Sequence, residues 1–106
     1  MLFVYRSRYA DVLKKKIGDQ PEDMDAVLQA ADNYTELGRY TDAAELADLA
    51  VAKWPAREEP WLVKIEVCER TNDGDGIKRV IAQIKKRNVY LTNRGRSIIA
   101  FWDRTE

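Results

Sequence analysis

The sequence predicts an all-α protein, and three observations carry that reading. Apolar residues recur at spacings of three and four along most of the chain, the period that gathers them on one face of a helix. Turn-forming residues, namely Pro21, Gly38, Pro55, Pro60 and the run Asn72 to Gly76, cut this pattern into helix-length segments. Nothing strand-like remains except "NVYL" at 88–91, and four residues between two helices make a better connector than a sheet. Six helices are expected, near residues 4–17, 22–36, 40–53, 60–71, 75–87 and 93–103. At 106 residues the chain is one domain with room for a modest core. A composition of 45% apolar and 34% charged residues suits helices with one well-solvated face.

The first segment opens with "MLFVYRSR" and turns basic at once, carrying Arg6, Arg8, Lys14, Lys15 and Lys16 against Asp11. It has no cleavable signal pattern, and its apolar run is far short of the ~20 residues that a membrane span needs. The expectation is a helix that packs Leu2, Phe3 and Tyr5 onto the neighbouring helices, with no membrane span. If the chain is part of a longer protein, Leu2 to Tyr5 would suit the tail of a membrane helix. The basic residues behind it would then face the cytoplasm.

The second and third segments hold the strongest pattern. In "MDAVLQAADNYTELGRYTDAAELADLAVAKWP", residues 24–55, small or apolar residues stand at Ala30, Ala31, Tyr34 and Leu37. Gly38, Tyr40, Ala43, Ala47, Ala50 and Pro55 come after them. Alanine at a helix crossing lets the two axes come close, where a bulky side chain would hold them apart. This stretch resembles a tetratricopeptide repeat, a helix-turn-helix unit with a period of 34 residues. The leucine and glycine pair usual in the first helix is Ala30 and Ala31 here.

A step of one period supports the resemblance along the chain. Val27 maps to Trp61, Tyr34 to Cys68, Ala43 to Ile77, Ala47 to Ile81 and Ala50 to Ile84, all apolar. Gly38 and Tyr40 map to Asn72 and Gly74, so the second unit is expected to keep its core and change its turn. A step back from Pro55 lands on Pro21, which makes the first helix the second half of an earlier unit. The resemblance therefore implies a short α-solenoid of antiparallel helix pairs. Its parts are a half repeat at 1–21, the best-matching repeat at 22–55, a degenerate repeat at 56–89 and a capping helix at 90–106. In the last, Thr92 is the expected helix cap, Ile98, Ile99 and Trp102 form an apolar stripe, and Arg94, Arg96 and Asp103 are left for water. Phe101 and Trp102 also suit an exposed aromatic docking site.

The turn "TNDGDGIKRV" at 71–80 has the look of a calcium loop and fails as one. An EF-hand loop needs oxygen ligands at its first, third and fifth positions, glycine at the sixth and a bidentate carboxylate at the twelfth. With Gly76 sixth, the first position is Thr71 and the twelfth is Ala82. With Gly74 sixth, the loop ends on Val80. The alternative is a polar interhelical turn whose glycines supply unusual backbone angles and whose Asp75 caps the next helix.

Composition narrows the function further. The chain has no histidine, which removes the usual neutral-pH acid–base group and the commonest zinc ligand. Its single cysteine, Cys68, lies in the apolar pattern of "WLVKIEVC" and reads as an inert core thiol. No catalytic constellation, metal site or cofactor is expected, and the chain is read as a non-enzyme. Net charge is zero but segregated, basic to residue 17, acidic over 18–69 and basic again from Arg70. A nucleic-acid reading would rest on Lys85, Lys86, Arg87, Arg94 and Arg96 around Tyr90. The pI near 6.3 and the acidic middle argue against it.

The resemblance implies a binding module with a concave groove lined by the first helix of each repeat. Carried over residue by residue, the groove positions are Asp25, Leu28, Gln29, Asp32, Thr35 and Glu36. The next repeat supplies Glu59, Leu62, Val63, Glu66, Glu69 and Arg70. That surface is acidic with an apolar strip, which favours a basic or amphipathic segment of a protein partner. It differs from the branch of the family that clamps acidic chaperone tails with basic residues and asparagine, since Leu28, Asp32 and Leu62 stand at those positions. The alternative reading is self-association through the repeat ends, or assembly within a larger complex. A cytoplasmic or cytoplasm-facing location is expected.

Overall fold

A computed structural model describes residues 23–103 of the chain. The half repeat at 1–21 and its helix near 4–17 lie outside the described residues. The described chain is all-helical: α1 is Met24–Glu36, α2 Tyr40–Lys53, α3 Glu58–Arg70, α4 Gly74–Arg87 and α5 Asn93–Asp103. "NVYL" is the link between α4 and α5, as its length required. The third of these helices starts earlier than Pro60, which suggested a boundary there. Pro60 instead sits inside the first turn, where a missing N–H leaves no intrahelical bond unmade.

Helix boundaries repeat with the period of the sequence pattern. Both ends of α1 and α3 are 34 residues apart, and so are both ends of α2 and α4. The same backbone turn closes both pairs. Leu37, Gly38 and Arg39 donate to Asn33, Thr35 and Tyr34 carbonyls; Thr71, Asn72 and Asp73 donate to Val67, Glu69 and Cys68 carbonyls. Each turn passes through the left-handed region once, at Gly38 with φ 76° and at Asn72 with φ 55°. Asparagine tolerates that region better than most residues with a side chain, so it can stand where glycine stood. The expectation of a changed turn is therefore corrected: the residues changed and the backbone did not. The unusual angle belongs to Asn72 rather than to Gly74 or Gly76, which open α4. The cap is Asp73, not Asp75, its carboxylate accepting from the Gly76 N–H at 2.9 Å.

Consecutive helices pack on one another, and α1 also touches α3. The first core joins Val27, Ala30, Ala31 and Tyr34 of α1 to Ala43, Leu46 and Ala50 of α2, with Val67 reaching in from α3. Small residues make this crossing, and Ala30, Ala31, Ala43, Ala47 and Ala50 are all fully buried. The second core joins Trp61, Leu62 and Ile65 of α3 to Ile77, Val80, Ile81 and Ile84 of α4, and takes Ile99 from α5. Isoleucines thus fill the α4 positions that alanines fill in α2. Ala47→Phe or Ala43→Leu has no space to occupy and should cost about 1–3 kcal/mol of stability by overpacking, read from urea denaturation.

The final helix is held by a carboxylate from another helix. Glu58, at the start of α3, is buried, and its Oε1 accepts the Thr92 N–H at 2.7 Å. The Thr92 hydroxyl is also within hydrogen-bond distance of both carboxylate oxygens, at 3.0 and 2.8 Å. The sequence makes Thr92 the cap of α5 through its own hydroxyl. In the structure that hydroxyl is engaged by Glu58, whose negative charge lies at the positive end of α5. Gly95 leaves room for it, because a Cβ there would come within 2.7 Å of Glu58 Oε1 and force the carboxylate to shift. Glu58→Ala removes the charged acceptor of the Thr92 N–H and hydroxyl and should destabilise the chain by about 1–3 kcal/mol. Amide exchange should accelerate first at Arg96, whose N–H is bonded to the Thr92 carbonyl at 3.0 Å.

Candidate functional site

An open cleft of about 550 Å³ runs between α3 and α5. One wall comes from α3 through Leu62, Ile65, Glu66, Glu69 and Arg70. The other comes from α5 through Arg94, Ser97, Ile98, Phe101 and Trp102. Its apolar part is rimmed by Phe101, 59% exposed, whose ring meets Trp102 edge-on at 5.1 Å. The arrangement offers apolar contact next to a rim of mixed charge, with the carboxylates Glu66 and Glu69 beside the guanidinium groups of Arg70 and Arg94.

The charges around the cleft act on one another across helices. Burial raises the Asp32 carboxyl above its usual value, the Glu36 charge raises it further, and Arg94 draws it back. Burial likewise raises Glu66, with Asp32 and Glu69 adding to the shift and Arg70 and Arg94 opposing it. Asp32 of α1, Glu66 of α3 and Arg94 of α5 therefore share one electrostatic field. Crowded carboxylates that resist ionisation gain from an added cation, which is what a lysine or arginine of a bound segment would supply.

The sequence-derived groove residues divide into three groups in the structure. Asp32, Glu36, Glu66, Glu69 and Arg70 form this charged surface, and Leu62, buried at the second core, still edges the cleft. Asp25 and Gln29 are exposed on α1, and Glu59 pairs with Arg57 at 3.4 Å at the start of α3. Leu28 and Thr35 are buried and Val63 packs against the first core, so these three serve packing rather than a free surface. The Thr35 hydroxyl donates to the Ala31 carbonyl of its own helix at 2.9 Å.

Sequence reasoning missed the second wall. It leaves Arg94 to water and makes residues 90–106 a cap, yet Arg94, Ile98, Phe101 and Trp102 build half of the cleft. A further step of one period from α3 lands on 92–104, the span of α5, and that signal could have placed α5 beside α3. The aromatic pair Phe101 and Trp102, which suits a docking site, lies in the same place.

On another surface, Cys68 lies half-buried in a smaller cleft of about 240 Å³, with Asp48, Lys64, Asp73 and Arg79 around it. Burial pushes its thiol upward, Asp73 adds to this, and Lys64 and Arg79 oppose it, so thiolate is scarce at neutral pH. Among the described residues no three carboxylates or thiols converge as a metal site, and no helix is long and apolar enough to cross a membrane. Comparison with protein-family models, curated proteins and solved structures finds no match to this chain.

Proposed function

We propose that the chain is a tetratricopeptide-like interaction module, a short α-solenoid that holds a basic, amphipathic segment of a partner protein between α1, α3 and α5. The cleft between α3 and α5, with apolar side chains next to the crowded carboxylates of Asp32 and Glu66, is the observation that carries this reading. The repeat resemblance is supported by helix boundaries and turn hydrogen bonds that recur every 34 residues. It is also supported by buried side chains at equivalent positions, Val27 with Trp61 and Ala47 with Ile81. A partner of this chemistry places apolar side chains against Ile98, Phe101 and Trp102 and cations against Asp32, Glu36, Glu66 and Glu69. The module acts as a scaffold without chemistry of its own. The reducing, cytoplasmic setting proposed for it fits a lone thiol with no disulfide framework.

Selection of a random peptide display library tests the reading. The wild-type chain should enrich sequences that combine Lys or Arg with large apolar residues, and an Asp32→Lys, Glu66→Lys variant should lose that enrichment. Enrichment of acidic sequences by the wild type, or equal enrichment by both, would overturn it.

A further inference from the structure

Tyr90 and Phe101 are the exposed large apolar side chains among the described residues, at 78% and 59%. They belong to different surfaces: Phe101 lines the cleft, whereas Tyr90 stands on the link between α4 and α5. That link is anchored on both sides of the tyrosine. Val89 and Leu91 pack against the second core, and Thr92 is held by Glu58. Asn88, with φ 54°, turns the chain off the α4 axis just before it. The backbone at Tyr90 is therefore fixed by partly buried neighbours, so part of the ordering cost is met before any partner arrives.

The stretch that carries Tyr90 is opposite in charge to the crowded carboxylates of Asp32 and Glu66, beside which the cleft also holds Arg70 and Arg94. Residues 77–92 contain Lys78, Arg79, Lys85, Lys86 and Arg87 and no acidic residue. Lys85 is paired with Asp103 at 3.0 Å and Arg87 lies over the Trp61 ring at 5.9 Å, while Lys86 is exposed. The chain's formal net charge is zero, so copies meet without a net repulsion to overcome.

We propose that the occupant of the cleft is a second copy of this chain, which inserts Tyr90 among Ile98, Phe101 and Trp102 and sets Lys86 against the carboxylates of Glu66 and Asp32. The inference rests on the groove reading and names its partner. Donor and acceptor are different surfaces of one molecule, so the contact is heterologous and joins copies head to tail.

Sedimentation velocity over a concentration series tests it with three proteins: wild type, the groove variant Asp32→Lys, Glu66→Lys, and the plug variant Lys86→Glu, Tyr90→Ser. All three should keep their helicity, since the substituted side chains are exposed or at the edge of the cleft. Wild type should associate increasingly with concentration, more weakly at high salt, and each variant alone should weaken association by at least about tenfold. Mixing the two variants should restore a one-to-one complex, because one intact groove then meets one intact plug. A wild type that stays monomeric, or association untouched by either variant, would overturn the proposal. A peptide of sequence "KKRNVYL" separates the two readings when titrated against the plug variant. If it binds while the wild type stays monomeric, the groove stands and the second copy falls; if it fails to bind as well, both fall.

Discussion

Trp61→Ala is expected to remove about 3–5 kcal/mol of stability, enough to leave a domain of this size largely unfolded under mild conditions. Trp61 is fully buried, and its indole N–H donates to the Pro55 carbonyl at 2.9 Å. The side chain thereby ties the link between α2 and α3 to the second core, and the Arg87 guanidinium covers its ring. Truncation leaves a large cavity between α3 and α4 together with an unpaired carbonyl. Trp61→Phe keeps most of the apolar volume and loses the hydrogen bond, so it should cost less than the truncation. Urea denaturation of the three proteins checks the order, and a loss below about 1 kcal/mol for Trp61→Ala would contradict this packing.

The Asp32→Lys, Glu66→Lys variant should lose at least about tenfold in affinity for a basic amphipathic peptide while its far-ultraviolet circular dichroism stays that of the wild type. The same carboxylates predict the pH response. Both native carboxyls sit above their ordinary values, so the folded chain holds their protons to higher pH than the unfolded chain does. Their contribution to stability is fully present below the unfolded carboxylate range, about pH 4, and is lost as pH rises through the raised native values. A bound cation favours ionisation and lowers them again, so binding releases protons. Affinity for the basic peptide should therefore fall as pH is lowered through the raised native values. Isothermal titration in two buffers of different ionisation enthalpy would detect the released protons, and an affinity that rises on acidification would rule out these carboxylates as the cation site.

The helices were legible because each carries a local signal. Gly38 and the Asn72 to Gly76 run mark turns, and the buried residues of α1 to α4 fall at helical spacing. Asp75 reads as the cap as readily as Asp73, because both stand near the helix start and only the backbone path distinguishes them. The candidate site was legible in part. Repeat positions place Asp32, Glu66 and Glu69 on one surface, but burial of Leu28 and Thr35 depends on how closely neighbouring helices approach.

The sequence by itself determined an all-helical chain, its turns, the pairing of apolar positions one period apart and the segregation of charge. These arise from local backbone preference and from the helical period of about 3.6 residues, which act over a few neighbours. Tertiary structure decided that α5 is a wall of the cleft as well as a cover for the core, that Glu58 holds its first turn, and that Arg94 shares a field with Asp32 and Glu66. Each of these joins groups far apart in sequence, and their distances are set by how the α3 and α5 faces pack, a quantity no single segment encodes.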